Sequence, residues 1–221
     1  RFTVSEDGIV VIPKRARLSS HEGSNAPPKR KMRSRSQGGS RTRAAFFAWR
    51  TSPGRGLAEG LSKNMRVISF DRRGSGISDP APGPATLEEQ MDDVNAVLDA
   101  CASTRIAVSA EAEGAMLAVI YAATHPDRVS HLVLSHPMAR MTNAPGYDWT
   151  WESAEVRHRD FVVPSLIRWG TGENAATLAP VLAARDPSFL DWWGRWERIG
   201  SSPGEFLRRS ELLAQMDVRE L

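Results

Sequence analysis

Cysteine occurs once in the 221 residues, at Cys101. That excludes an internal disulfide framework and fits a reducing compartment such as the cytoplasm. Its place at the end of a predicted helix reads as packing rather than as a reactive thiol. Long apolar runs are missing as well. The longest, Ala115 to Ala123, falls far short of the roughly 20 residues that a bilayer-spanning helix needs. No charged-then-apolar signal segment opens the chain. No His, Cys or carboxylate pairs stand at metal-ligand spacing, and no glycine loop would cradle a phosphate. The expectation is therefore no metal, no cofactor and no membrane contact.

What is present is ordinary in bulk and uneven in distribution. The chain is 41% hydrophobic and 25% charged, which suits one α/β domain with a real core. Its net charge of +3 conceals a division. Residues 1–56 hold 13 Lys/Arg against 3 Asp/Glu, whereas residues 57–221 hold 16 against 23. Residues 1–56 thus read as a basic, disordered segment with one apolar run, Ile9 to Pro13. The basic run 28–43 lacks interleaved aromatics, which favours a solvated tail over nucleic-acid binding. Opening at Arg1 rather than Met, the chain reads as a fragment or the product of an unusual gene start.

A buried strand is offered at Ala44–Trp49, and from Arg66 the pattern turns regular. Strands are expected at 44–49, 67–70, 106–108 and 132–134, with helices at 57–64, 86–101 and 114–124. Thr86-Leu-Glu-Glu89 is a capping box. The helix it opens carries Leu87, Met91, Val94, Leu98 and Cys101 on one stripe. Strand alternating with helix at this spacing implies βαβ units and a mostly parallel sheet. Residues 141–204 lose that alternation and hold six of the seven tryptophans, as an insertion over the sheet edge would. A last helix is expected at 203–217, with no strand after it.

The most specific window is Arg105 to Ala118: an apolar strand, a small-residue turn, an apolar helix. At the turn stand Ala110-Glu111-Ala112-Glu113-Gly114. Ala110 and Gly114 are small enough for strand and helix to approach closely, which puts Ala112 at the apex. A methyl group cannot attack a carbonyl, whatever base lies beside it. Shifting the frame to Ser109 fails, because Glu111 would then occupy a position that has to be small. Glu111 and Glu113 flank the apex and read as solvent-facing or helix N-terminal charges.

Arg66-Val-Ile-Ser-Phe-Asp-Arg-Arg-Gly-Ser-Gly-Ile-Ser-Asp79, the elbow window and Tyr121-Ala-Ala-Thr-His-Pro-Asp-Arg-Val129 together resemble the α/β-hydrolase fold family. They are similar to the hydrolase-fold domains that bacteria join to adenylate or guanylate cyclase modules. The resemblance is strong over 57–140 and weaker to 221. It implies an incomplete α/β-hydrolase fold over 57–221, with a helical cap at 141–204 and the C-terminal strands missing. It makes the loop after Asp71 architectural, with Gly74 and Gly76 turning and Ser78 or Asp79 capping amides. It also implies a chain order of nucleophile, acid, histidine. His131 and His136 come too early for that order, and His125 and His158 read as capping or solvated. No catalytic residue is assigned, because the nucleophile position is Ala112.

Trp149, Trp151, Trp169, Trp192 and Trp196 are the candidate lining of an apolar ligand pocket, against the plainer role of anchoring the cap. The expected function is a ligand-sensing or interaction module or a degenerate fragment. The alternative is an active hydrolase of ester or amide bonds. Self-association through an exposed sheet edge is the expected mode of assembly.

Overall fold

The computed structural model describes residues 9–13, 54–76, 78–79, 83 and 85–221, with side chains from Ala58 onward. The strand expected at 44–49 and the basic run 28–43 lie outside the described residues. Four strands and nine α-helices are described: β1 (Ile9–Pro13), α1 (Gly54–Ser62), β2 (Met65–Ile68), α2 (Leu87–Ala100), β3 (Ile106–Glu111), α3 (Glu113–Thr124) and β4 (Val129–Ser135). Then come the short helices α4 (Ala154–Arg157), α5 (Val163–Ile167), α6 (Asn174–Leu178) and α7 (Pro180–Arg185). The longer α8 (Pro187–Gly200) and α9 (Pro203–Gln215) follow. A π-helical segment, His158–Val162, joins α4 to α5.

The sheet order is β2-β1-β3-β4. β3 and β4 pair in parallel across the crossover helix α3, as the alternation predicts. β1 pairs antiparallel with both β2 and β3. The apolar run inside the basic segment therefore forms a strand, and its direction departs from the expected parallel arrangement.

One face of β3 makes the core. Ile106, Val108 and Ala110 are buried on it, against Leu98 of α2 and Ala118 and Tyr121 of α3. Met91, Val94, Val97 and Cys101 pack around them, so the predicted stripe on α2 is the buried one. Each fully buried aliphatic side chain here contributes about 1.5–3 kcal/mol. The capping box forms as the spacing requires: Thr86 Oγ1 accepts from the Glu89 amide at 3.2 Å, and Glu89 Oε2 accepts from the Thr86 amide at 3.0 Å. Tyr121 is buried and donates its hydroxyl to Asn95 Oδ1 at 2.7 Å, which ties α3 to α2.

β4 stands at the edge of the described sheet, with Leu132 at 37% and Val133 at 61% exposure. A second apolar cluster (Met116, Met141, Leu213, Met216) fastens α9 over the C-terminal ends of the strands. The terminal stretch lies along the segment after β4, where the Val218 amide donates to Ala139 O at 2.8 Å. Arg140 Nη1 meets Asp217 Oδ2 there at 3.0 Å.

The helical segment between Gly170 and Glu197 is held by a buried carboxylate. Glu197 of α8 is 4% exposed and accepts from the Gly170 amide (2.7 Å), Asn174 Nδ2 (2.8 Å) and Trp193 Nε1 (3.1 Å). Gly194 lets α8 come this close, since a Cβ there would sit 2.7 Å from the Gly170 carbonyl oxygen.

Candidate functional site at the strand-to-helix elbow

β3 ends at Glu111 and α3 begins at Glu113, so Ala112 alone makes the turn. Its backbone sits at φ 50°, ψ −118°, a region that non-glycine residues rarely enter. The turn is fixed from two sides: the Ala112 amide donates to Ser135 O at 2.9 Å, and the Ala115 amide donates to Ala112 O at 3.1 Å. Ala110 and Gly114 are both buried beside it, the close approach their size predicted. The strained geometry of a nucleophile elbow is present, with a methyl at its apex.

The two flanking carboxylates diverge. Glu111 is exposed, as expected, and lies 3.5 Å from His136 Nδ1, itself 79% exposed. Ser135 Oγ is 3.1 Å from the same nitrogen. His136, set aside on chain order, thus stands at the rim of the elbow, held there by its own positive φ of 49°.

Glu113 is the helix N-terminal charge, one of the two roles the sequence offers, and it is shielded rather than solvent-facing. Its Oε1 receives Arg72 Nη2 at 2.7 Å and faces Arg209 Nε at 2.9 Å, and the three side chains are only 26%, 15% and 18% exposed. The Arg209 Nε–H is not aligned to donate along that contact and counts among the buried donors without an acceptor. One carboxylate therefore links the Asp71 loop, the elbow and α9.

Close by, Arg157 is 4% exposed. Its Nη1 donates to Ser210 O at 3.3 Å, its guanidinium lies 5.5 Å from the Phe161 ring centre, and its Nε has no acceptor. Burial holds this guanidinium below the ordinary arginine range, and the field of Glu113 partly offsets that. The neighbouring Arg73 is raised above the ordinary range, first by its hydrogen bond to Asp93. None of these arginines was singled out from the sequence. Nothing in residue spacing shows that the Asp71 loop, α4 and α9 meet over the elbow.

Two cavities border this region. One of about 60 Å³ lies beneath the elbow, lined by Phe70, Val94, Ile106, Val108, Ala110 and Leu117, with Arg72 and Asp93 among its polar wall. A smaller one of about 30 Å³ is bounded by Arg72, Arg73, Ser75, Gln90, Arg208 and Arg209. The loop after Asp71 is built as architecture: the Gly74 amide donates to Asp79 O at 3.0 Å and Ser78 Oγ donates to Asp71 O at 2.5 Å. Ser78 donates through its hydroxyl and Asp79 accepts through its backbone.

The candidate tryptophans divide into three groups. Trp151 and Trp169 belong to one ring series, Trp151–Phe161–Phe206–Trp169, with centroid separations of 6.1, 6.5 and 5.0 Å. Trp192 and Trp196 stack at 6.2 Å and meet Phe189 and Trp193 on α8. Trp149 is 70% exposed against Tyr147. His125 stacks on Tyr121 at 4.6 Å, and His131 and His158 are exposed. Among the described residues no group of three His, Cys, Asp or Glu could hold a metal ion, and no helix is long and apolar enough to cross a membrane.

The family model described as alpha/beta hydrolase fold matches residues 45–171. A curated relative named "Putative carbamate hydrolase RutD", from Caulobacter segnis, is 33% identical over 82 residues, which cover 36% of this chain and 31% of the relative. Among solved structures, an α/β-hydrolase enzyme from a Medee basin deep-sea metagenome library superposes with a TM-score of 0.56 at 16% identity, over 77% of this chain and 62% of that one. An esterase from Exiguobacterium antarcticum gives 0.53 at 18% identity, over 80% of this chain and 63% of that one. The enol-lactonase from Burkholderia xenovorans gives 0.51 at 24% identity, over 73% of this chain and 59% of that one. The chain spans about three fifths of the length of these structures and 31% of the curated relative.

Proposed function

Since the chain belongs to the α/β-hydrolase fold family, we propose that it is a member whose elbow performs no nucleophilic catalysis and that it serves as a ligand-binding or interaction module. One observation carries the reading. Ala112 occupies the apex with the elbow's backbone geometry, φ 50° and ψ −118°, and offers no group that can form an acyl intermediate. The flanking residues do not replace it. Glu113 is committed to Arg72 and Arg209, and Glu111 faces His136 at the exposed rim.

A second reading is hydrolysis of ester or amide-type bonds, the chemistry in the names of the carbamate hydrolase, esterase and lactonase relatives. The Ser135, His136 and Glu111 grouping favours it. Both contacts converge on Nδ1, however. A single nitrogen cannot accept the serine proton while presenting an N–H to the carboxylate, the two tasks an imidazole divides between its nitrogens in a triad.

The test is turnover of an aryl ester such as p-nitrophenyl acetate by the purified chain. No enzyme-dependent release is expected. Release that disappears on Ser135→Ala would install the second reading. A cytoplasmic location and linkage to a cyclase module belong to the same proposal, and the DNA flanking the reading frame tests the linkage.

A further inference from the structure

Glu113, immediately after the elbow apex, meets the guanidinium groups of Arg72 at 2.7 Å and Arg209 at 2.9 Å, and Arg157 reaches the same stretch of α9 through Ser210 O. Among the described residues Arg157 has no carboxylate within ion-pairing distance. A buried arginine without a counter-charge is rare, and a buried N–H without an acceptor rarer still. Arg157 Nε is such a donor. A second orphan donor, Trp169 Nε1, is reached through the ring contacts Phe161–Phe206 and Phe206–Trp169.

The local backbone adds an independent sign. Arg157 is the last residue before the π-helical segment His158–Val162, an insertion type that is frequent at functional sites. Phe161, which that segment carries, is the ring that Arg157 faces.

We propose that Arg157, held against Ser210 of α9 beside Arg209, binds a small ligand through a carboxylate or phosphate group. The guanidinium fork matches either group, because two parallel N–H donors meet two oxygens. With Nη1 of Arg157 held by Ser210 O, its Nε edge is left to receive one. The ligand supplies the acceptors and the charge that the protein does not. Glu113 keeps the pocket from being so positive that the arginines would part. The assignment rests on the reading of the chain as a ligand-binding module and names the chemistry of what that module takes.

The experiment is isothermal titration of the full chain at low salt with two probes, sodium succinate and inorganic phosphate. Binding of at least one, weakening as salt rises, supports the site, and the better probe tells which oxygens it prefers. Arg157→Met is expected to weaken binding by about tenfold or more. Should that variant not fold by circular dichroism, Arg157→Lys keeps the charge without the fork and is expected to lose a similar factor. Binding of neither probe, or equal binding by a folded Arg157 variant, overturns the proposal. Neither result bears on the ester-turnover test, which reports on the elbow and Ser135 and not on Arg157.

Discussion

The amide of Ala112 donates to the carbonyl of Ser135 at 2.9 Å, so the apex of the elbow is pinned to the end of the neighbouring strand. That bond and the hydrogen bond from Ala115 hold an alanine where its backbone is strained. The fold holds a costly turn with only a methyl group at its apex. The strain is then a property of the crossover from β3 to α3, and it can be measured.

Relieving it stabilises the protein. A non-glycine residue in such a region costs about 1–3 kcal/mol, while glycine adds roughly 0.5–1 kcal/mol of unfolded-state entropy. Ala112→Gly is therefore expected to raise the urea midpoint by an amount worth on the order of 1 kcal/mol. A branched residue, as in Ala112→Val, is expected to lower it. Equal midpoints for all three would show that the turn is not strained.

Glu113→Gln removes a carboxylate that answers both Arg72 and Arg209. The groups are mostly but not fully buried, so the cost falls between that of a surface pair and a buried one, about 1–3 kcal/mol. The double variant Glu113→Gln, Arg209→Met is expected to lose less than the two single losses together, because the second change removes a charge the first left unanswered. Chemical denaturation of the four proteins measures the coupling.

Glu197→Gln disturbs the helical segment between Gly170 and Glu197 from within. The carboxylate accepts from three donors, two of them through Oε1, and the Gly170 amide through Oε2. A glutamine has one acceptor oxygen, so an NH2 group must face one of those donors. The expected loss is about 1–3 kcal/mol, read most directly as a change in tryptophan emission, since Trp193 is one of the donors.

The C-terminal stretch gives the chain a pH dependence at its acid end. Hydrogen bonds from Arg219, then from Arg140, hold the Asp217 carboxyl well below the usual carboxylate range. With the folded pKa lower than the unfolded one, the unfolded chain binds more protons between the two. The contribution is complete above the ordinary aspartate value, about pH 4, and fades as pH falls toward the folded value. Asp217→Asn is expected to flatten this limb of the stability profile between about pH 4 and pH 2 and leave the neutral limb parallel to the parent.

The elbow was legible because its constraints are local. Ala110 and Gly114 must be small, Ala112 must turn, and five consecutive residues say so. The α2 stripe and its capping box were legible for the same reason, since periods of three and four residues project directly onto one helix face. The direction of β1 was not, because a five-residue apolar run specifies a strand and not which neighbours it joins. The partners of Glu113 were not legible for a different reason. They come from residues 72 and 209, and no sequence period links positions so far apart. Arg157 was passed over because a lone arginine in a polar stretch looks solvated until the aromatic wall that buries it is in place. The tryptophans were grouped by their scarcity and their common segment, and packing then divided them among α8, the π-helical region and an exposed turn.

The most direct test of the central claim is covalent labelling of the purified chain with a fluorophosphonate, which reports an activated serine whatever the natural substrate. The account predicts no adduct on the parent protein by intact mass and none on Ala112→Gly. A stoichiometric adduct, mapped to Ser135 and lost on Ser135→Ala or His136→Ala, would contradict it.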